Sequence, residues 1–289
     1  MVAPAPEQLQ AALLARPRRD LPWRRTRDPW AVLVSEAMLQ QTQVARVAPR
    51  YEAFLARFPT PAACVAAPVG EVITAWAGLG YNRRAVALRA GALRCVERHG
   101  GAVPGTLAEL QALPGVGPYT ARAVLAFAFE QDVGVLDVNA ARVLARAVAG
   151  RRLSGPEAQA LADASVPPGA GWAWNQAVLD LGATVCRKAA PACDRCPAAR
   201  WCRWRAGGGP DPAEGSAGTG GRQPPFAGSD RQARGRLVAS LLVGPVAAGE
   251  VAGICGWSEH DGRTAGVVAS LVADGLAAWE EGTGLLRLP

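Results

Sequence analysis

The fold is decided by residues 113–142, LPGVGPYTARAVLAFAFEQDVGVLDVNAAR. The stretch begins with a tight turn that contains Gly115, Val116 and Gly117, and it continues from Pro118 into an apolar segment typical of a helix. Glycines permit positive φ and let an anion approach the backbone, and a helix start adds unpaired N–H groups with a positive dipole end. The turn is therefore either a phosphate seat or an ordinary turn between two helices.

Two isolated carboxylates stand out against the apolar pattern. Asp137 lies inside an apolar run, just before a predicted helix that it is placed to cap. Glu36 lies in a helix that begins after Asp28-Pro29 and whose apolar residues recur at helical spacing. Because Glu36 falls about 60° from Leu33 on the helical wheel, we place it at the edge of the apolar stripe. A glutamate there is ordinarily a solvated border residue unless something faces it.

Apolar residues at helical spacing, interrupted by Pro and Gly, predict further helices along most of the chain. We place them at residues 44–58, 69–77, 84–98, 107–113, 118–130, 139–149, 156–164 and 174–182. Residues 1–205 show no alternation typical of strands, so we predict an all-α region. A loop at 78–84, GLGYNRR, carries an apolar residue, an aromatic residue and two arginines, which suits either a wedge in a base stack or simple solvation.

The charge of the chain favours an anionic partner and is unevenly distributed. The formal net charge is +7 and the isoelectric point is about 9.4. Residues 1–225 carry +9, whereas residues 226–289 carry −2. We therefore expect attraction to nucleic acid mainly in the longer N-terminal part. The sequence has no long apolar run and no basic leader, so we expect a soluble, unexported chain without a membrane partner.

Two scarce residue types restrict the chemistry. Lys188 is the only lysine, so a Schiff-base mechanism has almost no side-chain amine to use. His99 and His260 are the only histidines, and neither lies in a recognisable site pattern. Acid–base catalysis would therefore depend on carboxylates.

Four of the seven cysteines are clustered. Cys186, Cys193, Cys196 and Cys202 follow the pattern C-x6-C-x2-C-x5-C. Four thiolates so close together, in a chain without an export signal, indicate a metal centre rather than disulfides. Zinc would use the same four ligands, but the uneven spacing favours an iron–sulfur loop, and we predict a [4Fe–4S] cluster. Basic side chains surround the ligands, so the loop also suits phosphates.

Composition divides the chain into three parts. Residues 1–205 form the helical region, and residues 206–226, rich in Gly and Pro, are predicted to be a flexible linker. Residues 227–289 form a small C-terminal module with three helices, one of them around 246–255, and a final hairpin. This order of elements is typical of a winged helix, which would be either a second DNA reader or a protein-contact domain.

The motifs together resemble those of the MutY-type adenine DNA glycosylases, members of the helix-hairpin-helix, iron–sulfur superfamily that includes endonuclease III. The resemblance covers residues 21–205 and rests on LPWRRTRDPWAVLVSEAMLQQTQV, the GLGY loop, LPGVGPYTA, LDVNAARVLAR, WNQAVLDLGATVC and the four-cysteine loop. It implies two α-helical lobes. One is a six-helix unit holding the hairpin, and the other is made from both ends of the region and closed by a [4Fe–4S] cluster.

The resemblance also implies an activity and a partner. The enzyme would remove adenine mispaired with 8-oxoguanine or guanine in double-stranded DNA, as a step of base-excision repair, and leave an abasic site. We expect a bacterial, cytoplasmic, nucleoid-associated protein. Nothing in the sequence demands more than a monomer.

By the same resemblance, four residues form the catalytic set. Glu36 matches the general acid that protonates adenine, and Asp137 matches the carboxylate that stabilises the sugar cation. We expect Glu36 to keep its proton and Asp137 to stay ionised. Asn139 and Tyr119 match the polar residues that support these two. Because Tyr119 stands where the endonuclease III branch has a lysine, we predict a monofunctional glycosylase with weak or no lyase activity.

The remaining matched residues contact DNA. Trp23, Arg24 and Leu39 match residues that line the base pocket. Gln41, Leu79 and Tyr81 match residues inserted beside the orphaned 8-oxoguanine. The turn at 115–117 becomes a DNA clamp in this interpretation.

The chain departs from the family in two places, and two alternatives stay open. It lacks the larger Nudix-like C-terminal domain with its Phe-Ser-His loop, so preference for 8-oxoguanine over guanine is open, and Asn82 replaces a common aromatic. One alternative is a thymine or uracil mismatch glycosylase of the same fold, against which VSEAMLQQTQV argues. The other is a non-catalytic DNA-binding iron–sulfur protein, which would not need Glu36, Asp137 and Asn139 together.

Overall fold

The structure is a computed structural model that describes residues 3–219, 225–258 and 262–289. It is predominantly helical, which confirms the predicted class, and the described part of residues 1–205 contains no strand. The α-helices are α1 Glu7–Leu14, α2 Pro29–Leu39, α3 Val44–Arg57, α4 Pro61–Ala66, α5 Val69–Ala75, α6 Arg83–Arg98, α7 Leu107–Gln111, α8 Pro118–Phe127, α9 Val138–Val143, α10 Gly155–Ala164, α11 Gly171–Thr184, α12 Arg203–Gly207, α13 Asp230–Leu241, α14 Val251–Cys255 and α15 Arg263–Ala273. No helix in these described ranges is long and apolar enough to cross a membrane.

Three α-helices, α1, α4 and α12, were not predicted, and part of another was predicted as a different type. Helix α4 has only six residues, and the side chain of Thr60 caps it by accepting a hydrogen bond from the N–H of Ala63 at 3.1 Å. Helix α1 is also short and buries only Leu9 and Leu13. The second half of the helix predicted over 139–149 is a π-helical turn, Leu144–Ala149. Elements this short carry too little periodic pattern to be recognised from sequence.

Helix α2 is buried on every side, which corrects the prediction that it is amphipathic. Each residue from 30 to 38 is buried. Ala31 and Ser35, which lie outside the apolar stripe, are buried as well. Glu36 is therefore not a solvated border residue, because only 4% of its surface is exposed.

The chain divides into two compact units. The first unit comprises Met1–Val32, Gly105–Gln111 and Gly117–Arg222, and the second comprises Leu33–Pro104, Ala112–Val116 and Gln223–Pro289. In the core of the first unit, Leu9 of α1 packs with Leu144 of the π-helical turn and Trp174 of α11. The N-terminal helix therefore belongs to the same unit as the cysteine loop.

The C-terminal module lies in the second unit and shares its core. It contains α13, α14, α15 and the strands β1 Val246–Ala247, β2 Ala278–Trp279 and β3 Leu285–Arg287, which pair antiparallel in the order β1-β3-β2. Strand β1 corrects the predicted start of a helix at 246. Leu237, Leu271 and Leu286 of the module pack with Ile73 of α5. The module therefore adds to the core of the second unit.

Part of the stretch predicted as a linker packs against the first unit. The backbone N–H of Leu153 donates to Oγ of Ser216 at 3.1 Å, and the N–H of Ala217 donates to the Leu153 carbonyl at 3.0 Å. Ser216 is buried, and Asp211 forms an ion pair with Arg146. Residues 220–224 of this stretch lie outside the described residues. The acidic segment 259–261, where a helix of the module was predicted to begin, lies outside them as well.

Arg84 at the start of α6 connects two loops of the second unit. Its guanidinium donates to the carbonyl oxygens of Ala37 at 2.7 Å, Met38 at 2.8 Å, Gln40 at 2.7 Å, Leu79 at 3.3 Å and Gly80 at 2.8 Å, and to Oγ1 of Thr42 at 3.0 Å. Burial lowers the pKa of Arg84 to about 10, so the side chain stays charged at neutral pH. The end of α2 and the GLGY loop therefore hold their conformation through one side chain.

We expect Arg84→Met to lower the free energy of unfolding by about 3 kcal/mol or more, because it leaves several buried carbonyl groups without a donor. The measurement is urea unfolding followed by tryptophan fluorescence. The control is Arg83→Met, since Arg83 is exposed and its replacement should cost less than about 0.5 kcal/mol. Equal unfolding midpoints for the two variants would contradict the role of Arg84.

Candidate active site

The chain reaches Asp137 through an extended segment whose backbone is paired by side chains. Asn175 of α11 is 3% exposed, and its Oδ1 accepts a hydrogen bond from the N–H of Val135 at 2.8 Å. Its Nδ2 donates to the carbonyl oxygens of Val133 at 2.9 Å and Gly171 at 2.7 Å. Backbone polar groups that are withdrawn from water need partners, and here one side-chain amide binds two of them in this segment.

Gly134 fixes the same segment by its lack of a side chain. A Cβ atom at this position would lie 2.4 Å from the carbonyl carbon of Ala162, so the close approach to α10 requires glycine. The N–H of Gly134 donates to Oδ1 of Asp163 at 2.8 Å. The approach to Asp137 is thus anchored by α10 as well as by α11.

Asp137 caps α9, as predicted, and its carboxylate binds three donors. Oδ1 accepts from the backbone N–H groups of Asn139 at 2.8 Å and Ala140 at 2.7 Å, and Oδ2 accepts from Nδ2 of Asn139 at 2.8 Å. Burial raises the pKa of Asp137, and these hydrogen bonds act in the opposite direction. Burial, which the sequence did not reveal, is the larger effect, so the carboxylate ionises less readily than an exposed aspartate.

Arg142 connects Asn139 to the cysteine loop. Its Nη2 donates to Oδ1 of Asn139 at 2.8 Å and to the Gly182 carbonyl at 2.7 Å, and its Nε donates to the Cys186 carbonyl at 2.6 Å. A Cβ atom at Gly182 would lie 2.6 Å from Cβ of Asn139, so α9 and α11 meet only because this residue is glycine. The amide of Asn139 is therefore oriented on one side by Arg142 and on the other by Asp137.

The four predicted metal ligands line one cavity in the first unit. Cys186, Cys193, Cys196 and Cys202 line it together with Leu181 of α11, Val185 and Ala198. Burial raises the pKa of Cys196 and of Cys202, and the neighbouring cysteines contribute to the increase. Such thiols become thiolate ligands when a cation compensates their charge.

Four thiols around one cavity are the donor set of an iron–sulfur cluster and also of a structural zinc site. Arg146, 1% exposed, adds a donor at this cavity, because its Nη1 lies 3.5 Å from Sγ of Cys186. Its Nε donates to Oδ1 of Asp211 at 2.9 Å, so the chain after α12 is attached to the cluster loop.

The turn before α8 requires one glycine rather than two. The N–H of Val116 donates to the Leu113 carbonyl at 3.1 Å, which closes the turn. Gly115 has φ of +79°, and a Cβ there would lie 2.8 Å from Cβ of Ala87 in α6. Gly117 has φ of −86°, and a Cβ there would meet nothing within 4 Å. Only Gly115 therefore uses the positive φ that glycine permits, whereas Gly117 leaves open space at the start of α8.

The residues matched to the base pocket differ in what their side chains do. Arg24 is committed to an ion pair within the first unit, because its Nη1 and Nη2 donate to the two carboxylate oxygens of Asp180 at 2.8 and 2.9 Å. Trp23 is 7% exposed. The geometry therefore gives Arg24 a structural role that the sequence did not reveal.

The residues matched to the orphaned base lie in two adjacent loops of the second unit. Gln41 and Tyr81 have positive φ, 57° and 48°, which is uncommon for residues with side chains. Tyr81 is 41% exposed, whereas Leu79 is 3% exposed. Tyr81 is thus displayed at the surface, whereas Leu79 is buried.

The matched residues are shared between the units. The first unit holds Trp23, Arg24, Gly117, Tyr119, Asp137, Asn139 and the four cysteines, and the second holds Glu36, Leu39, Gln41, Leu79, Tyr81, Gly115 and Val116. Sequence reasoning missed the supporting residues Asn175, Arg142, Asp180 and Asp211. The one available signal was the presence of polar residues in otherwise apolar helical segments, as for Asn175 and Arg142.

Comparison with known proteins places this geometry in a family. Residues 34–167 match the family model of the HhH-GPD superfamily base excision DNA repair proteins. An adenine DNA glycosylase of Mycobacterium tuberculosis (strain CDC 1551 / Oshkosh) is 41% identical over 269 residues, which cover 90% of this chain and 86% of that protein. The adenine DNA glycosylase of Homo sapiens is 44% identical over 202 residues, 65% of this chain and 37% of that protein.

The fold is also found in solved structures. A thermostable thymine-DNA glycosylase superposes with a TM-score of 0.63 at 28% identity and covers 70% of this chain and 94% of its own. An endonuclease III–DNA complex superposes with a TM-score of 0.57 at 24% identity and covers 62% of this chain and 85% of its own. The second likeness concerns the fold alone. With the extensive identity to the mycobacterial relative, these findings show that the chain belongs to the adenine DNA glycosylases of the HhH-GPD superfamily of base excision DNA repair proteins.

Proposed function

We propose that this protein is a monofunctional glycosylase that hydrolyses the N-glycosidic bond of adenine mispaired with 8-oxoguanine or guanine in double-stranded DNA. One observation carries the proposal: the chain holds two carboxyl groups in unlike surroundings. Glu36 is buried in a helix whose residues 30–38 are all buried, and Asp137 binds three hydrogen-bond donors at a helix start. Two carboxyl groups in different environments can divide the acid and the anion roles of one reaction.

Each carboxyl group suits one half of the reaction. Adenine is a poor leaving group until a ring nitrogen is protonated, and burial favours the neutral, proton-donating form of a carboxyl group such as Glu36. Loss of the base leaves positive charge on the sugar, which a fixed anion stabilises. Asp137 supplies that anion, and Asn139 orients it. Tyr119, at the second position of α8, supports this set as a polar residue.

The absence of a nearby lysine favours water as the nucleophile. A lyase of this superfamily would need an amine to attack the sugar. Tyr119 offers none, and Lys188 lies exposed in the cysteine loop. Hydrolysis that ends at the abasic site follows from this composition.

Duplex DNA is the partner, and the base must leave the helix before it can react. Extrusion costs about a few kcal/mol, which contacts to the phosphates and to the remaining strand must offset. We assign the phosphate contacts to the turn 115–117, because Gly117 leaves open space at a helix start. Tyr81 and Gln41 are assigned to the unpaired partner base, and Trp23 and Leu39 to the adenine pocket. Leu79, being buried, would have to move before it could enter DNA.

A [4Fe–4S] cluster bound by Cys186, Cys193, Cys196 and Cys202 completes the proposal. The cluster would close the C-terminal end of the first unit as a structural cross-link. The Arg142 and Arg146 side chains hold the loop on either side of Cys186 by hydrogen bonds to its carbonyl and its Sγ. Zinc on the same four thiols is the alternative.

A thymine or uracil glycosylase is the second candidate, since one structural relative is a thymine-DNA glycosylase. The substrate experiment uses duplexes with A opposite 8-oxoguanine, A opposite guanine, T opposite guanine and U opposite guanine, each with and without alkali. We expect strand breaks only at the two adenine substrates and only after alkali. Breaks confined to T or U would favour the second candidate. Rapid breaks without alkali would contradict a monofunctional enzyme, and no breaks at all would favour a non-catalytic DNA-binding protein.

The raised pKa of Asp137 predicts the acidic side of the pH–rate profile. Asp137 must be ionised to stabilise the cation, so cleavage is lost as the pH falls through its pKa, which lies above that of an exposed aspartate. Asn139→Ala removes a hydrogen bond that favours the anion. We expect this variant to lose activity at a higher pH than the wild type. The pH–rate profile is measured in single-turnover assays, with Gln8→Ala at an exposed position as the control. If Asn139→Ala had the same acidic limb as this control, the assignment of Asp137 as the ionised group would be contradicted.

A further inference from the structure

We propose that a groove within the second unit binds a segment of DNA strand, and that the C-terminal module forms one of its walls. The groove has a volume of about 870 Å³. The residues that line it include Arg46, Tyr81, Arg83, Phe226, Arg231 and Arg234. The inference rests on the proposed function to the extent that duplex DNA is the partner. It extends that function by assigning a role to the module.

The first wall is formed by the loops that Arg84 holds in place. Tyr81 has a left-handed backbone conformation and is 41% exposed, so its ring is displayed at the groove. Arg83 follows it in the chain, and Arg46 lies in the first turn of α3. The carbonyl groups of the loops are occupied by the buried Arg84, which limits how far this wall can move.

The second wall comes from α13 and the residues just before it. The guanidinium carbon of Arg231 lies 5.3 Å from the ring centre of Phe226. Arg234 forms an ion pair with Asp274 and a hydrogen bond with Ser270, so its charge is offset. Each wall therefore presents one aromatic ring and at least one arginine.

Charge distinguishes this groove from the module as a whole. Residues 226–289 carry −2, which gives no reason to expect attraction to DNA. The groove is lined by four arginines, and Asp274 is the only acidic residue among its described lining residues. Two of the three arginines of α13, Arg231 and Arg234, thus line the same groove as Arg46 and Arg83. The local charge is therefore positive although the module is acidic.

The combination of aromatic rings and arginines favours a nucleic-acid strand over an acidic peptide. Strand-binding grooves follow the phosphates with positive charge and stack unpaired bases on aromatic side chains. An acidic peptide would use the arginines but would have no need for two exposed rings. A strand that leaves a duplex from which a base has been extruded offers both phosphates and unstacked bases.

Two exposed glycines provide matched variants. Gly235 in α13 lines the groove, whereas Gly266 in α15 does not. A Cβ at either position would meet nothing within 4 Å, and neither has positive φ. Glutamate is favoured over glycine in a helix by about 0.5–1 kcal/mol, so Gly235→Glu and Gly266→Glu should both fold. Only the first places a negative charge in the groove.

The experiment measures binding of the full chain to a fluorescent duplex with A opposite 8-oxoguanine, in an Asp137→Asn background that prevents cleavage. We expect Gly235→Glu to weaken binding about tenfold and Gly266→Glu to change it less than about twofold. Arg231→Ala should lower the slope of log affinity against log salt by about one, and Arg287→Ala, away from the groove, should not. Thermal unfolding by circular dichroism establishes that each variant is folded. Competition with single-stranded DNA and with a polyglutamate peptide distinguishes the two ligand classes.

Two results would overturn the inference. One is that Gly235→Glu binds the duplex as tightly as Gly266→Glu does, and that Arg231→Ala has the same salt dependence as Arg287→Ala. The other is that polyglutamate, but not single-stranded DNA, abolishes the part of the duplex binding that depends on Arg231. Failure of the proposed function is seen separately, in the wild-type chain, as no cleavage of any adenine substrate. Loss of binding by Gly235→Glu would support the groove even in that case.

Discussion

The position of the Asp137 carboxylate depends on the backbone segment before it, whose N–H groups are bonded by side chains. Gly134 and Val135 of this segment are buried, yet no strand lies beside them in the described structure, so side chains of α10 and α11 satisfy their backbone N–H groups. Asn175 and Asp163 do so, and Gly134 permits the close approach. The position of the proposed catalytic anion is therefore determined by the packing of helices and not by a flexible loop.

The same constraint connects the proposed chemistry to the cysteine loop. Arg142 binds Asn139 and the carbonyl of Cys186, so the residue that orients the anion and the first ligand of the predicted cluster share one guanidinium. Arg146, one turn later, binds the Cys186 sulfur and Asp211. A chain with a single lysine thus uses buried arginines as multiple donors, and in the second unit Arg84 has a comparable role. Arginine suits this use because its planar group presents five donors in fixed directions.

The sequence predicted those features that depend on nearby residues. The longer helices, the turn at 113–117, the cap at Asp137 and the cysteine spacing are local patterns, and the structure contains the helices, the turn and the cap. The partners of these features could not be predicted, because Asn175 is 40 residues from Val135 and Asp211 is 65 residues from Arg146. Burial of Glu36 was missed for a related reason. A helical wheel shows which face is apolar, but it does not show that the opposite face is also covered.

The central claim is that the charge of Asp137, rather than its role as a helix cap, makes the site active. Asp137→Asn keeps an oxygen that can cap α9 and removes the charge. The measurement is single-turnover release of adenine opposite 8-oxoguanine, together with duplex affinity of the same protein. The account predicts a loss of cleavage of about a thousandfold or more, with affinity unchanged within about twofold. Cleavage close to that of the wild type, or an equal loss of affinity, would contradict it.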